Sequence, residues 1–140
     1  MNDVLMGKKA CLERCVKQAR LYFGSRADLP FEQDYMRQDA IAANLQRACE
    51  QAIDMANHVV RLRKLGLPQQ SRDSFVLLAQ GGIISPELSR KLQGMVGFRN
   101  TLVHQYRQLD LGLVEEVITR HLDDLLLFSD ILLKEAGRDT

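Results

Sequence analysis

An excess of charge of one sign is missing from this sequence: 19 Lys and Arg face 18 Asp and Glu. A protein that grips many phosphates usually carries a larger basic surplus. Any nucleic-acid contact must therefore come from a local basic patch, or from basic residues that two copies bring together. Long apolar runs are missing as well. The opening Met1-Asn2-Asp3-Val4-Leu5-Met6-Gly7-Lys8-Lys9 has no apolar signal core, and no later stretch approaches a membrane span. Cysteine is scarce and odd in number, with Cys11, Cys15 and Cys49 and no C-x-x-C pair. Without an export signal, free thiols in a reducing cytoplasm are the simple reading. Cys11 and Cys15 lie one helical turn apart and offer two metal ligands, with Cys49 or His58 as a further one. Cysteine is more commonly a small buried hydrophobe, so no metal site or cofactor is expected.

Repeats, low-complexity segments and long linkers are also absent, and strand signals nearly so. What remains is apolar residues at helical spacing. With 140 residues, 46% of them hydrophobic and 26% charged, the chain fits one globular domain over 1–140. A first helix is predicted from about Val4 to Phe23, with Leu5, Leu12, Cys15, Ala19 and Tyr22 or Phe23 on one side. Gly24-Ser25 ends it, and a loop runs through Leu29-Pro30. A long second helix spans about Tyr35 to Leu65, where Ile41, Leu45, Ala48, Ala52, Met55, Val59 and Leu62 form an apolar stripe. Gly66-Leu67-Pro68 stops it. Ser71 is placed as the cap of a short third helix, about Arg72 to Ala79, closed by Gly81-Gly82. Ser85-Pro86-Glu87 is a start signal for a fourth helix carrying Leu88, Leu92, Met95 and Leu102. Asp110 caps a fifth helix to about Glu135, with Leu111, Val114, Ile118, Leu125, Phe128 and Leu132 inward. Short connections imply antiparallel neighbours, so the expected fold is all-α: an up-down bundle of four long helices with one short inserted helix.

The chemically informative stretch is Gly97-Phe98-Arg99-Asn100-Thr101-Leu102-Val103-His104-Gln105-Tyr106-Arg107. Stepping inward from Leu88 through Leu92 and Met95, the next position is Arg99. A permanent charge on an apolar stripe needs a partner, a dimer seam or an anionic ligand. His104 follows about 140° round an ideal helix and shares no face with Arg99 unless the helix frays near Val103. In an extended tail, His104 and Tyr106 project to one side. Two readings stay open at this point. Either the three form a polar cluster that binds a phosphodiester and moves protons, or Arg99 pairs with Glu115 or Asp54, His104 caps the helix and Tyr106 packs on the bundle.

The run Arg99-Asn100-Thr101-Leu102-Val103-His104-Gln105-Tyr106 fits R-x4-H-x-Y and resembles the active-site signature of HEPN-domain toxins of the HepT type. Nearly the whole chain takes part. The second helix with Leu45-Gln46-Arg47-Ala48-Cys49-Glu50 and Ile53-Asp54-Met55-Ala56-Asn57-His58, the short third helix and the motif occur in the expected order. The resemblance implies a HEPN-like fold and a metal-independent endoribonuclease toxin, with a composite site at a homodimer seam. It also implies a neighbouring minimal nucleotidyltransferase antitoxin that transfers AMP from ATP to the motif tyrosine. Carried over, Arg99 and His104 are catalytic, Asn100 supports them, and Tyr106 accepts AMP. Asp54 or Glu50 is a candidate to orient Arg99 or His104. Metal-free RNA cleavage by the ribose 2′-OH needs a base, an acid and a cation. One chain supplies one such histidine and a two-fold seam supplies two. His58, on a polar ridge with Arg47, Glu50 and Asp54, reads as a solvated-face residue, and His121 as a core residue. The second functional class is a non-catalytic helical module, antitoxin or scaffold, that binds the nucleotidyltransferase. A scaffold has no need for a desolvated arginine beside a histidine.

Overall fold

The computed structural model of the chain describes residues 3–25, 28–104 (the last by its backbone alone) and 109–138. Among them the regular elements are all helical: α1 (Asp3–Gly24), α2 (Tyr35–Leu62), α3 (Ser71–Gln80), α4 (Pro86–His104), α5 (Leu111–Glu116) and α6 (Leu122–Gly137). A 3-10 turn at Phe31–Gln33 precedes α2, and a π-helical turn at Val117–His121 joins α5 to α6.

The start signals act through side-chain caps. Asp34 accepts from the Arg37 amide at 3.0 Å, Ser85 from the Leu88 amide at 3.0 Å, and Asp110 from the Leu113 amide at 3.1 Å. Each satisfies an amide that the first helical turn leaves without a partner. At α3 the cap falls one residue earlier than predicted. Gln70 is the cap and Ser71 the first helical residue, because Asp73 Oδ2 accepts from the Gln69 and Gln70 amides at 2.9 and 3.2 Å. The end of α2 also differs. Lys64 takes a left-handed φ of 54°, so the helix stops at Leu62, and the Leu65 amide closes back on Val60 O at 3.0 Å. Leu62, predicted inward, stands 46% exposed.

Cross-helix ion pairs give the directions. Lys9 meets Asp130 at 2.7 Å and Arg20 meets Asp123 at 2.9 Å, so α1 and α6 run antiparallel. Lys8 near the start of α1 reaches Asp54 late in α2 at 3.4 Å, and Arg63 just beyond α2 reaches Glu135 near the end of α6 at 3.3 Å. Helix α2 packs on α1, α3, α4 and α6, and its stripe of Ile41, Leu45, Ala48, Ala52, Met55 and Val59 is fully buried. Each large apolar side chain so buried contributes roughly 1.5–3 kcal/mol. Phe75 of α3 and Phe128 of α6 meet edge to face at 5.4 Å, locking the short helix onto the bundle. No helix among the described residues is long and apolar enough to cross a membrane.

The predicted unbroken fifth helix is interrupted by the π turn. An α-helical stripe from Ile118 would bring His121 inward. The wider turn carries His121 outward to 39% exposure, while Leu122, four residues after Ile118, stays buried. The expectation of a core His121 is thereby corrected: burying the imidazole would cost its hydration, and the leucine beside it carries no such penalty. Thr119 supports the turn by donating to Glu115 O at 2.9 Å.

Phe128→Ala is expected to destabilise the fold by about 3–5 kcal/mol, because the ring sits on the Phe75 contact and has nowhere to relax. Urea unfolding checks this, and a loss below about 1 kcal/mol would mean that the ring does not hold α3 to α6.

Candidate active site

Arg99 lies on α4 one turn beyond Met95, on the side that faces α2 and α3. Its side chain is 20% exposed. Nη1 stands 3.8 Å from Glu50 Oε2, and Nη2 donates to Ser71 Oγ at 3.4 Å. Nε is buried and has no hydrogen-bond partner. A guanidinium carries five donors in a rigid fork, and two long contacts leave most of that capacity unused. Arg99 is therefore held in direction without being neutralised.

The partner is neither Glu115, which is exposed on α5, nor Asp54. Glu50 supplies the carboxylate, one turn earlier on α2, and the Asp54 carboxylate meets Lys8 instead. Both acids, with Ile53, Asn57, Ser71 and Arg99, line an open cleft of about 430 Å³. Its floor is braced by Asn57, whose side-chain oxygen accepts from the buried Ser74 hydroxyl. Ser71 is the cleft residue that sequence reasoning missed. Its serine-rich start resembles an ordinary cap, and only the packing of α3 on α4 brings the hydroxyl to Arg99.

Helix α4 continues without fraying through His104. Arg99 and His104 thus stand about 140° apart on one helix, displaced about 7.5 Å along it. Asn100 is exposed on the same helix. The His104 side chain, and Tyr106 altogether, lie outside the described residues, so the predicted grouping of Arg99, His104 and Tyr106 rests on the motif.

The remaining candidates fall away from the cleft. Burial, with Arg61 and Lys8 close by, lowers the pKa of His58 below its usual value, and the residue does not line the cleft. Burial pushes the Cys49 thiol up to about 12 against the pull of nearby Arg99, which leaves it inert as a nucleophile. Cys15 is buried and Cys11 half-buried. Among the described residues no three His, Cys, Asp or Glu side chains gather into a metal-binding group.

Residues 12–132 match the ribonuclease HepT-like family. The chain is 45% identical over 135 residues, 96% of its own length and 100% of the relative's, to an mRNA nuclease HepT of Shewanella oneidensis. It is 31% identical over 84 residues, 60% of this chain and 57% of the other, to a tRNA nuclease HepT of Aphanizomenon flos-aquae. Its fold superposes with a TM-score of 0.86 on a tri-AMPylated HEPN toxin of Shewanella oneidensis solved in complex with an MNT antitoxin. That match has 45% identity and covers 94% of this chain and 98% of the other. The architecture is HEPN-like.

An arginine held by two long contacts, with its Nε unpartnered, should add little to the fold. Arg99→Met is expected to leave stability within about 1 kcal/mol of wild type or to raise it, since the apolar replacement removes a partly desolvated charge. Thermal unfolding reads this out, and a loss above about 3 kcal/mol would make Arg99 a structural residue.

Proposed function

The chain belongs to the ribonuclease HepT-like family, and from that footing we propose that it is an RNA-cutting toxin of a toxin–antitoxin pair, with Arg99 and His104 as catalytic residues. The observation that carries the reading is the Arg99 guanidinium. It opens an Arg-x4-His-x-Tyr run and keeps an unpartnered buried Nε in a polar cleft. A scaffold module would leave that costly arrangement without a use.

The reaction suits these side chains without a metal. The ribose 2′-oxygen bonds to the adjacent phosphorus while the bond to the 5′-oxygen breaks. One histidine takes the 2′-OH proton, and a second returns a proton to the leaving oxygen. Arg99 offers its fork to the phosphate oxygens as charge develops there. A homodimer seam supplies the second His104. Three features support it: the angular separation of Arg99 from His104 on one unbroken helix, the single motif per chain, and the near-zero net charge, since a seam concentrates basic groups. Asn100, exposed beside Arg99, supports the catalytic pair, Glu50 on the α2 wall restrains the arginine, and Asp54 lines the same wall while it pairs with Lys8. Residues 1–140 act as one HEPN domain in the cytoplasm, on cellular RNA.

Control runs through Tyr106. A minimal nucleotidyltransferase antitoxin passes AMP from ATP to its phenol, the phenolic oxygen bonding to the α-phosphorus as pyrophosphate leaves and the phenolic proton is lost. The Shewanella toxin solved with its MNT antitoxin, described as tri-AMPylated, supports this reading. The new phosphodiester occupies Arg99 by the pairing that RNA phosphate needs, and the adenosine fills the approach.

Arg99→Ala and His104→Ala are each expected to lower RNA cleavage by about 10²–10⁴-fold with the fold intact. Cleavage by the wild type in EDTA should leave 2′,3′-cyclic phosphate ends. Either variant cutting at the wild-type rate, or 5′-phosphate products, would remove these assignments.

Tyr106→Phe is expected to keep nuclease activity and to escape neutralisation. Growth on co-expression with the antitoxin, with mass spectrometry of the wild-type pair, checks both. Full protection of cells carrying Tyr106→Phe, or AMP on another residue alone, would leave simple binding as the control.

A further inference from the structure

Arg72 is the second residue of α3, next to the Ser71 whose hydroxyl takes a bond from Arg99. Its guanidinium lies against α4 at Gly97, where an added Cβ would meet Arg72 Nη2 at 2.9 Å. Only a glycine lets the guanidinium come so close to the helix backbone. Arg72 is exposed, and no carboxylate pairs with it among the described residues. The adjacent acid, Asp73, is engaged by the Gln69 and Gln70 amides. The fold thus presents an exposed guanidinium at Gly97 with no ion pair gained among the described residues.

Its placement relates it to the motif. His104 follows Gly97 by seven residues in the same helix, so the two positions fall within about 20° of one line along α4, some 10 Å apart. Stacked nucleotides rise about 3.4 Å each, so that distance corresponds to roughly three of them. Resting on the reading of this protein as an RNA nuclease, we propose that Arg72 binds a second RNA phosphate, on the strand flanking the cut and a few nucleotides from it. Gly97 is the bare position that lets Nη2 come against the helix, leaving the other guanidinium donors for a phosphate. Arg72 contributes binding and strand register, and takes no part in the proton transfers.

The test uses the full chain. In a His104→Ala background, the Kd of a long single-stranded oligonucleotide spanning the mapped cleavage point is measured against salt, with and without Arg72→Ala. Affinity is expected to fall several-fold to about tenfold, and the salt slope to lose about 0.7, one phosphate's share on a single strand. In the active enzyme the loss should fall on KM rather than kcat. It should shrink as the substrate is trimmed to the dinucleotide at the cut. Gly97→Ala supplies an independent variant. Its methyl pushes the guanidinium off α4, so binding should weaken while the melting temperature rises, since alanine is the better helix former. Unchanged affinity and slope in Arg72→Ala, or an equal loss on long and dinucleotide substrates, overturns the proposal and leaves the nuclease reading standing. No RNA cleavage by the wild type, with no binding in the His104→Ala background, overturns both.

Discussion

Helix α2 is buried along one continuous ridge, and four other helices lean on it. That single constraint places every group of interest. With α1 against one flank and α4 and α6 against others, the only freedom left to α3 is where along α4 it settles. The Phe75–Phe128 contact fixes that position. Ser71 then arrives at Arg99, and Arg72 at Gly97. The cleft is the gap that remains where polar residues of α2 replace its apolar ridge.

Arg99 stands at the junction of stability and chemistry. Its neighbours on the inward stripe are buried hydrophobes, yet it keeps a charge that two long contacts only partly satisfy. Direct neutralisation by a close, bidentate carboxylate would secure the side chain and make it useless to an anionic ligand. The 3.8 Å separation from Glu50 is a compromise between the two. It aims the guanidinium and leaves its donors available. The same economy explains the acidic wall in a proposed RNA site: Lys8 engages Asp54, so the wall presents less negative charge than its residues suggest.

The fold was largely legible because helical periodicity and capping chemistry are local. Ile41, Leu45, Ala48, Ala52, Met55 and Val59 announce a buried stripe by spacing alone, and Asp110 and Ser85 mark their helix starts by the hydroxyl or carboxylate they offer to free amides. The misplacements occurred where a non-local term outweighed the local one. Leu62 continues the stripe in spacing, but Lys64 reverses the chain before a neighbour can cover it. His121 sits in phase with the core on a regular helix, yet the π turn over Val117–His121 carries it outward while Leu122 stays buried. No periodicity rule holds that choice, because it depends on which side chain the opposing helix will accept.

By itself the sequence determined the helical class, the starts of α2, α4 and α5, the family through its Arg-x4-His-x-Tyr run, and the oddity of a charge at Arg99, since all of these lie in residue type and short spacing. Tertiary structure alone decided which acid answers Arg99, that Ser71 bonds to it, and that Arg72 lies on Gly97. Those contacts join residues 25–49 positions apart. Many acids and hydroxyls of suitable type compete for such a partnership, and only the rigid packing of helices around α2 selects among them.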